Sequence, residues 1–194
     1  MLMNVVIFGA PGSGKGTQSE LIISKYGLYH ISTGDILRQE IKKQTKLGTI
    51  AKEYIKKGQL IPDELIIKIL SEVLDVNPGV KGYIFDGFPR TLAQGEALDQ
   101  LLREKNTSIV AVLSLEVVEK ELINRLIKRG VESGRPDDYP SVIQNRLEVY
   151  RNQTEPLKKF YKKRGKFFEI KGNNSIDEVF ERIVEVLDRL MFLK

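Results

Sequence analysis

Residues 9–17 read Gly9-Ala10-Pro11-Gly12-Ser13-Gly14-Lys15-Gly16-Thr17, and they are the most informative segment of the sequence about its fold. It follows an apolar run, Val5–Phe8, and a helical pattern begins directly after it. Glycines let the backbone wrap so that successive N–H groups point inward, and the amino terminus of a helix adds a partial positive charge. Lys15 supplies a cation for terminal phosphates, and a nearby hydroxyl helps to hold Mg²⁺. We therefore predict a phosphate-binding loop whose ATP contacts come from Gly12, Ser13, Gly14, Lys15, Gly16 and Thr17.

This stretch departs from the usual phosphate-loop pattern at one position. A Ser or Thr is expected directly after the lysine, but Gly16 stands there and the hydroxyl of Thr17 comes one residue later. A glycine-rich turn that merely joins a strand to a helix is the alternative interpretation. The lysine and the strand–loop–helix context favour phosphate binding.

Apolar runs alternate with helical patterns from end to end. The runs that predict strands are Val5–Phe8, His30–Ile31, Tyr83–Phe85, Ile109–Leu113 and Phe167–Ile170. They are apolar on both faces or nearly so, which is typical of a buried parallel sheet. One helical stripe runs from Ile143 to Tyr161, and a last helix follows Ser175. The pattern predicts an α/β fold of the P-loop kind, with three layers and a parallel five-stranded sheet, in one domain over residues 1–194.

Two segments interrupt this alternation. Residues 32–61 hold two short helical patterns with no strand between them, and residues 128–138 have the composition of a glycine-bearing loop. Both are expected to project from the sheet as a flap and a short lid. Ligands in doubly wound folds bind beyond the carboxyl ends of the strands, where both segments emerge.

Composition excludes several classes of protein. The 194 residues include no cysteine, so disulfides and thiolate metal sites, including a zinc site, are ruled out. The amino-terminal apolar run is too short for a signal peptide or a membrane span, so we expect a cytoplasmic monomer.

The net charge of +5 could attract nucleic acid, a membrane or a small polyanion. The lysine runs lie in helical patterns, where solvated lysines are the ordinary expectation, and this argues against a nucleic-acid partner.

Three motifs together resemble those of a known family. The Gly14-Lys15-Gly16-Thr17 variant of the loop, the segment Ser32–Arg38 and the segment Asp86–Thr91 are similar to motifs of adenylate kinases and their nucleoside monophosphate kinase relatives, in the family's order and spacing. The resemblance covers essentially the whole chain and implies a short-lid member. It implies reversible phosphoryl transfer from MgATP to AMP, which gives two ADP.

The resemblance assigns an AMP site to residues along the first half of the chain. They are Thr33, Arg38, Gln59, Leu60, Ile61, Gly87, Phe88, Pro89, Arg90 and Gln94, joined by Arg135 and Arg146. Arg38 is expected to be unpaired within its helix, and Asp35 to act mainly as a helix cap. The resemblance also implies a cis bond between Phe88 and Pro89. Thr33 and Gln94 favour adenine, because an amide can pair with both the ring acceptor and the exocyclic amine; a UMP/CMP kinase is the nearest alternative.

Asp86 ends an apolar strand, where a buried carboxylate is costly unless something binds it. Its expected partner is the hydrated Mg²⁺ of ATP, shared with Thr17.

Arginines of the second half complete the predicted site. The residues expected to be catalytic are Lys15, Arg90, Arg129, Arg135 and Arg146, with Arg129 also on ATP. Arg125 lies four residues before Arg129, a repulsive spacing unless an anion binds there, and its role stays open. Asp137 and Asp138 either hold the lid arginines or cap a helix. Asn174 is implied near the ATP adenine, and His30 is expected to be packed rather than catalytic.

Two further function classes stay open at this point. One is a regulatory protein that binds ATP without transferring its phosphate, which would not need the lid arginines. The other is a nucleic-acid module, which only the basic composition supports.

Overall fold

The computed structural model describes residues 2–77 and 79–192. The strands are β1 (Asn4–Gly9), β2 (Tyr29–Ser32), β3 (Tyr83–Asp86), β4 (Ile109–Glu116) and β5 (Phe167–Lys171). The helices are α1 (Lys15–Tyr26), α2 (Thr33–Lys42), α3 (Lys46–Lys56), α4 (Asp63–Val76), α5 (Leu92–Glu104), α6 (Glu119–Ser133), α7 (Pro140–Val149), α8 (Pro156–Lys162) and α9 (Ile176–Phe192). The strands form one parallel sheet in the order β2-β3-β1-β4-β5, which confirms the predicted fold class.

The sheet is buried on both faces because alternate side chains of each strand enter different cores. Val6 and Phe8 of β1 pack in the core that includes α4, α5 and α8. Val5 and Ile7 point to the opposite face and pack with α1 and α9. Each face is covered by helices, as strands that are apolar on both sides require. Within the described ranges, no helix combines the length and the apolarity that crossing a membrane would need.

The structure confirms the two short helices predicted within residues 32–61, which are α2 and α3. The expectation of a loop over residues 128–138 is wrong in its first half, because α6 continues through Ser133 and ends at Gly134 in the left-handed conformation. Gly130 therefore lies inside a helix. A Cβ at that position would come within 2.9 Å of the Asp138 carbonyl oxygen, so this glycine is needed for the close approach of the 3₁₀ turn Pro136–Asp138.

The predicted stripe from Ile143 to Tyr161 is one helical rod with a local change of winding. A π-helical turn, Tyr150–Thr154, joins α7 to α8, and the Glu155 N–H donates to the Tyr150 carbonyl five residues earlier. Pro156 follows immediately and has no N–H to continue a regular ladder. The rod still buries one face, as the stripe indicated.

Candidate functional site

The carboxyl ends of three neighbouring strands meet at one edge of the sheet. The parallel register pairs Ile7 of β1 with Asp86 of β3, and Asp86 with Ser32 of β2. The glycine loop leaves β1 directly beyond Ile7 and Phe8. Since β1 lies where the strand order changes direction, this edge is the expected ligand-binding crevice of the fold.

The glycine loop packs closely against α6. Gly12 has φ +85°, and a Cβ there would lie 2.8 Å from the Leu122 carbonyl oxygen. Gly14 precedes the first turn of α1 with φ +94°, a left-handed conformation that side chains rarely adopt. These two glycines let the loop turn sharply into α1, whose first residue is Lys15.

Lys15 folds back over its own loop. Its ammonium group donates to the carbonyl oxygens of Gly9 at 2.8 Å and Ala10 at 3.1 Å. Burial lowers the pKa of Lys15 to about 8; the charge of Asp86 opposes the shift, and nearby arginines add to it. The structure thus sets a half-buried cation against neutral carbonyl oxygens of its own loop.

The first cavity lies beside this lysine and collects most of the predicted acceptor residues. Its lining includes Lys15, Thr33, Arg38, Gln59, Leu60, Ile61, Gly87, Pro89, Arg90, Gln94 and Arg146. Phe88 does not line the cavity, because its ring is buried in the core, and the cis bond to Pro89 is present as expected. Arg135 lies outside the lining. Tyr150 and Thr154 of the π-helical turn also line this cavity, although sequence reasoning treated them only as members of a buried stripe.

The segment around Arg38 corrects two expectations. The Arg38 guanidinium pairs with Asp35, three residues earlier, at 2.5 Å, so it is not unpaired. The cap of α2 is Ser32, whose hydroxyl accepts a hydrogen bond from the Asp35 N–H. Asp35 is therefore free to face Arg38 along the helix, a spacing that the sequence already contained.

Asp137 and Asp138 hold two lid arginines together. Arg129 donates two hydrogen bonds to the Asp138 carboxylate, at 2.6 and 2.8 Å. Arg146 pairs with Asp138 at 2.5 Å and with Asp137 at 3.1 Å. The cap position of α7 is Tyr139, so neither aspartate caps that helix. This arrangement decides between the two roles that the sequence left open.

Electrostatics explain why the buried Asp138 stays ionised. Burial acts to raise the pKa of Asp138, but the hydrogen bonds and charges of Arg129 and Arg146 outweigh it and lower that pKa. Burial likewise acts to lower the pKa of Arg129, and the carboxylate of Asp138 reverses the shift and raises it. Each charge is held in place by the other.

Arg135 differs from its neighbours. In residues 2–77 and 79–192, no carboxylate lies within ion-pair distance of its guanidinium. Burial lowers the pKa of Arg135, and the positive charges of Arg38 and Arg129 lower it further. Arg38 of the flap and Arg135 of the lid are therefore close enough for the charge of one to affect the pKa of the other.

The second cavity lies on the other side of the glycine loop. Its lining is Ser13, Gly14, Thr17, Gln18, Arg125, Gly172, Asn174, Ser175, Ile176 and Val179. Asn174, which the resemblance places near the ATP adenine, lines this cavity. Arg125 also lies here and pairs with Glu121 at 2.8 Å, which relieves the repulsion expected from its spacing to Arg129. Glu121, four residues earlier, was the signal in the sequence that would have predicted this pair.

The two predicted metal-binding residues occupy different surroundings. Asp86 lies at the end of β3, and the His30 Nε2 atom is 3.9 Å from its carboxylate. That nitrogen is buried and has no hydrogen-bond partner in the described part of the chain, so His30 packs beside Asp86. Thr17 is exposed at the second cavity, and no hydrogen bond joins it to Asp86 among the described residues. A lone carboxylate at this edge fits a hydrated ion, which needs only one or two protein ligands.

Comparisons with known proteins agree with this geometry. A family model described as adenylate kinase matches residues 7–166. A protein of Azobacteroides pseudotrichonymphae named adenylate kinase is 62% identical, over 97% of this chain and 99% of that protein. Proteins with the same name from Parabacteroides distasonis and Flavobacterium psychrophilum are 57% and 46% identical, each over 97% of this chain and 100% of its own length.

Proposed function

The chain belongs to the adenylate kinase family, and from that premise we propose how its two cavities divide the substrates. The enzyme transfers a phosphoryl group between ATP and AMP. AMP is assigned to the first cavity, and the ATP base to the second. The observation that carries this assignment is the shared glycine loop: Lys15 lines the first cavity, whereas Ser13 and Gly14 line the second. An ATP whose phosphates lie on the loop would therefore reach from one cavity to the other.

Catalysis by this site would consist of positioning and charge neutralisation. Arg38 and Arg90 are assigned to the acceptor phosphate, and Lys15 to the terminal phosphates of ATP. Arg129, Arg135 and Arg146 would neutralise the transferred group from the lid side. The cations gathered here outnumber the carboxylates, which suits two polyanionic substrates that meet end to end. Phosphoryl transfer needs no covalent intermediate, so aligned cations suffice.

We assign Mg²⁺ to Asp86, with Thr17 as the second predicted contact, on the chemistry of a free carboxylate and a hydroxyl beside the loop. When bound, the ion would neutralise charge on the ATP phosphates. The residues of this chain would orient the nucleotide around it: Asp86 from the sheet edge and Lys15 from the loop.

The flap over residues 32–61 and the lid over residues 128–138 are proposed to close over the substrates. Gly58 and Gly134, both with positive φ, are candidate hinges. Closure would exclude water, which otherwise competes as the phosphoryl acceptor.

The remaining assignments are a cytoplasmic monomer with no nucleic-acid or membrane partner. The absence of cysteine supports a reducing compartment. In the lysine-rich segment 158–164, Tyr161 is buried in the core and Phe160 packs against it, so neither ring is a free stacking surface for nucleic acid.

The test measures the enzyme's preference among nucleoside monophosphates and the effect of an arginine substitution on kcat. In a coupled steady-state assay with ATP, we expect AMP to be preferred over CMP and UMP. Arg90→Met should lower kcat by about a hundredfold to a thousandfold, because a buried cation on the reacting phosphate is lost. Arg151→Met is the matched control, since Arg151 pairs with Glu119 on the surface. A preference for a pyrimidine nucleotide, or an Arg90 variant as active as the control, would contradict the assignment.

A further inference from the structure

The amide of Gln94 is held at both ends. Its Oε1 atom accepts a hydrogen bond from the backbone N–H of Arg90 at 2.7 Å. Its Nε2 atom donates to the Asp63 carboxylate at 2.6 Å. The side chain is 2% exposed and lines the first cavity, so these two partners fix the order in which it presents oxygen and nitrogen to a ligand.

The oxygen and nitrogen atoms of the Gln94 amide cannot exchange positions without losing both hydrogen bonds. A carboxylate has no hydrogen to donate, and a backbone N–H cannot accept. Rotation of the Gln94 amide by half a turn would set Oε1 against the Asp63 oxygen and Nε2 against the Arg90 N–H. Each contact would then bring like partners together in a buried position, which is costly.

Asp63 is itself positioned by neighbouring groups. Its second carboxylate oxygen accepts from the Thr91 hydroxyl at 2.8 Å, and that hydroxyl also caps α5 by accepting from the Gln94 N–H. Asp63 is the first residue of α4, where the helix dipole favours a negative charge. It lines neither cavity, so it would act on a ligand only through Gln94.

We infer that Asp63 is a specificity-determining positioning residue, which locks the Gln94 amide in the orientation that accepts adenine and rejects a 6-oxo purine. The inference rests on the proposed function, which places the acceptor base in the first cavity. Adenine presents an amino donor beside a ring acceptor, whereas a 6-oxo purine presents an oxygen acceptor beside a ring N–H, the inverse order. The Gln94 oxygen and amino group each retain capacity for one more hydrogen bond. A freely rotating amide would match either base, and a locked amide matches one.

The matched probe is inosine monophosphate, which differs from AMP only by oxygen in place of the amino group and a hydrogen on the adjacent ring nitrogen. Asp63→Asn offers both a carbonyl and an amino group, so it can pair with Gln94 in either orientation and leaves only the Arg90 N–H to oppose inversion of the amide. We expect the ratio of kcat/KM for AMP to kcat/KM for inosine monophosphate to fall about tenfold or more, mainly through a gain with the latter. Asp75→Asn is the control, because Asp75 lies on the same helix and pairs with Lys105 at the surface; its ratio should stay unchanged.

Gln94→Leu separates this inference from the proposed function. If that variant loses the discrimination while Asp63→Asn keeps it within about twofold, the orientation lock is overturned and the placement of AMP stands. If Asp63→Asn lowers kcat/KM equally for AMP and for inosine monophosphate, the orientation lock is also overturned, because Asp63 then has a structural role alone. If Gln94→Leu keeps the discrimination, the base lies elsewhere and both ideas fail.

A second variant covers the case in which Asp63→Asn does not fold. Thr91→Val retains the carboxylate but removes one of its two anchors. A fall of the ratio by about threefold or more supports the lock, and an unchanged ratio overturns it.

Discussion

The glycine loop and the lid hold their cations in opposite ways. Lys15 is half-buried, and among the described residues its hydrogen-bond partners are carbonyl oxygens; desolvation lowers its pKa to about 8. Arg129 and Arg146 are bound to carboxylates, chiefly the fully buried Asp138. The loop therefore keeps a cation whose charge is poorly compensated, whereas the lid keeps cations whose charge is already paired.

The difference indicates a division of labour. A poorly compensated, half-buried cation destabilises the free enzyme and gains most when a phosphate arrives. Paired arginines gain less from the phosphate but keep their geometry without it, so they need little reorganisation at the moment of transfer. Binding strength would come mainly from the loop, and alignment mainly from the lid.

Removing the loop cation should have the largest effect. Lys15→Met is expected to lower kcat by about a thousandfold, because the transferred phosphate loses its half-buried cation. The melting temperature should stay the same or rise, since a poorly compensated charge leaves the interior. Retention of more than half the kcat of the unaltered enzyme would refute the role of Lys15, and a large fall in stability would refute the comparison.

Breaking the lid pairs should instead damage the fold. Asp138→Asn leaves Arg129 and Arg146 without their shared carboxylate, and we expect a loss of about 3 kcal/mol in the free energy of unfolding. Urea denaturation gives that quantity. Asp75→Asn, which removes a surface pair with Lys105, should cost under about 1 kcal/mol. Equal costs for the two variants would show that the lid pairs are not structural.

The lowered pKa of Lys15 predicts a dependence of stability on pH. Between the folded value of about 8 and the ordinary value of 10.5, the unfolded state binds more protons than the folded state. Stability contributed by this group therefore rises with pH across that window. Relative to Lys15→Met, the enzyme should gain about 1 kcal/mol between pH 7.5 and pH 9. If urea denaturation gives the same difference in free energy of unfolding between the two proteins at both pH values, the prediction is contradicted.

Removing the contact between the flap and α7 should have the smallest effect. Asn145 donates to the Lys57 carbonyl, and Gly58 packs so closely on α7 that a Cβ would lie 2.8 Å from the Arg146 side chain. Since Asn145 precedes Arg146, the flap end is anchored beside a paired arginine. Asn145→Ala should raise KM for AMP about threefold with little change in kcat. The control is Gln100→Ala, a surface change on α5. If Asn145→Ala and the control have the same KM for AMP, the contact between Asn145 and the flap does not contribute to AMP binding.

The strands were predictable because hydrophobic periodicity is a local property, whereas fewer than half of the residues that line the first cavity were predicted. Five buried apolar runs and the glycine loop indicated the sheet and its crevice, and the resemblance supplied residues such as Arg90 and Gln94. Asp63 was missed, because its partners Thr91 and Gln94 are 28 and 31 residues away in sequence. The pairing of Arg38 was predictable from the sequence, because Asp35 lies three residues earlier in the same helix.

Neighbouring residues were enough to predict the phosphate loop, the alternation of strands and helices, and the family, since turn geometry and periodicity are local properties of the chain. The pairing of the charges, in contrast, depends on the folded structure. Asp138 came to bind Arg129 and Arg146 because Gly130 lets the 3₁₀ turn approach α6. Ion pairs and burial depend on distances across the fold, and composition does not encode those distances.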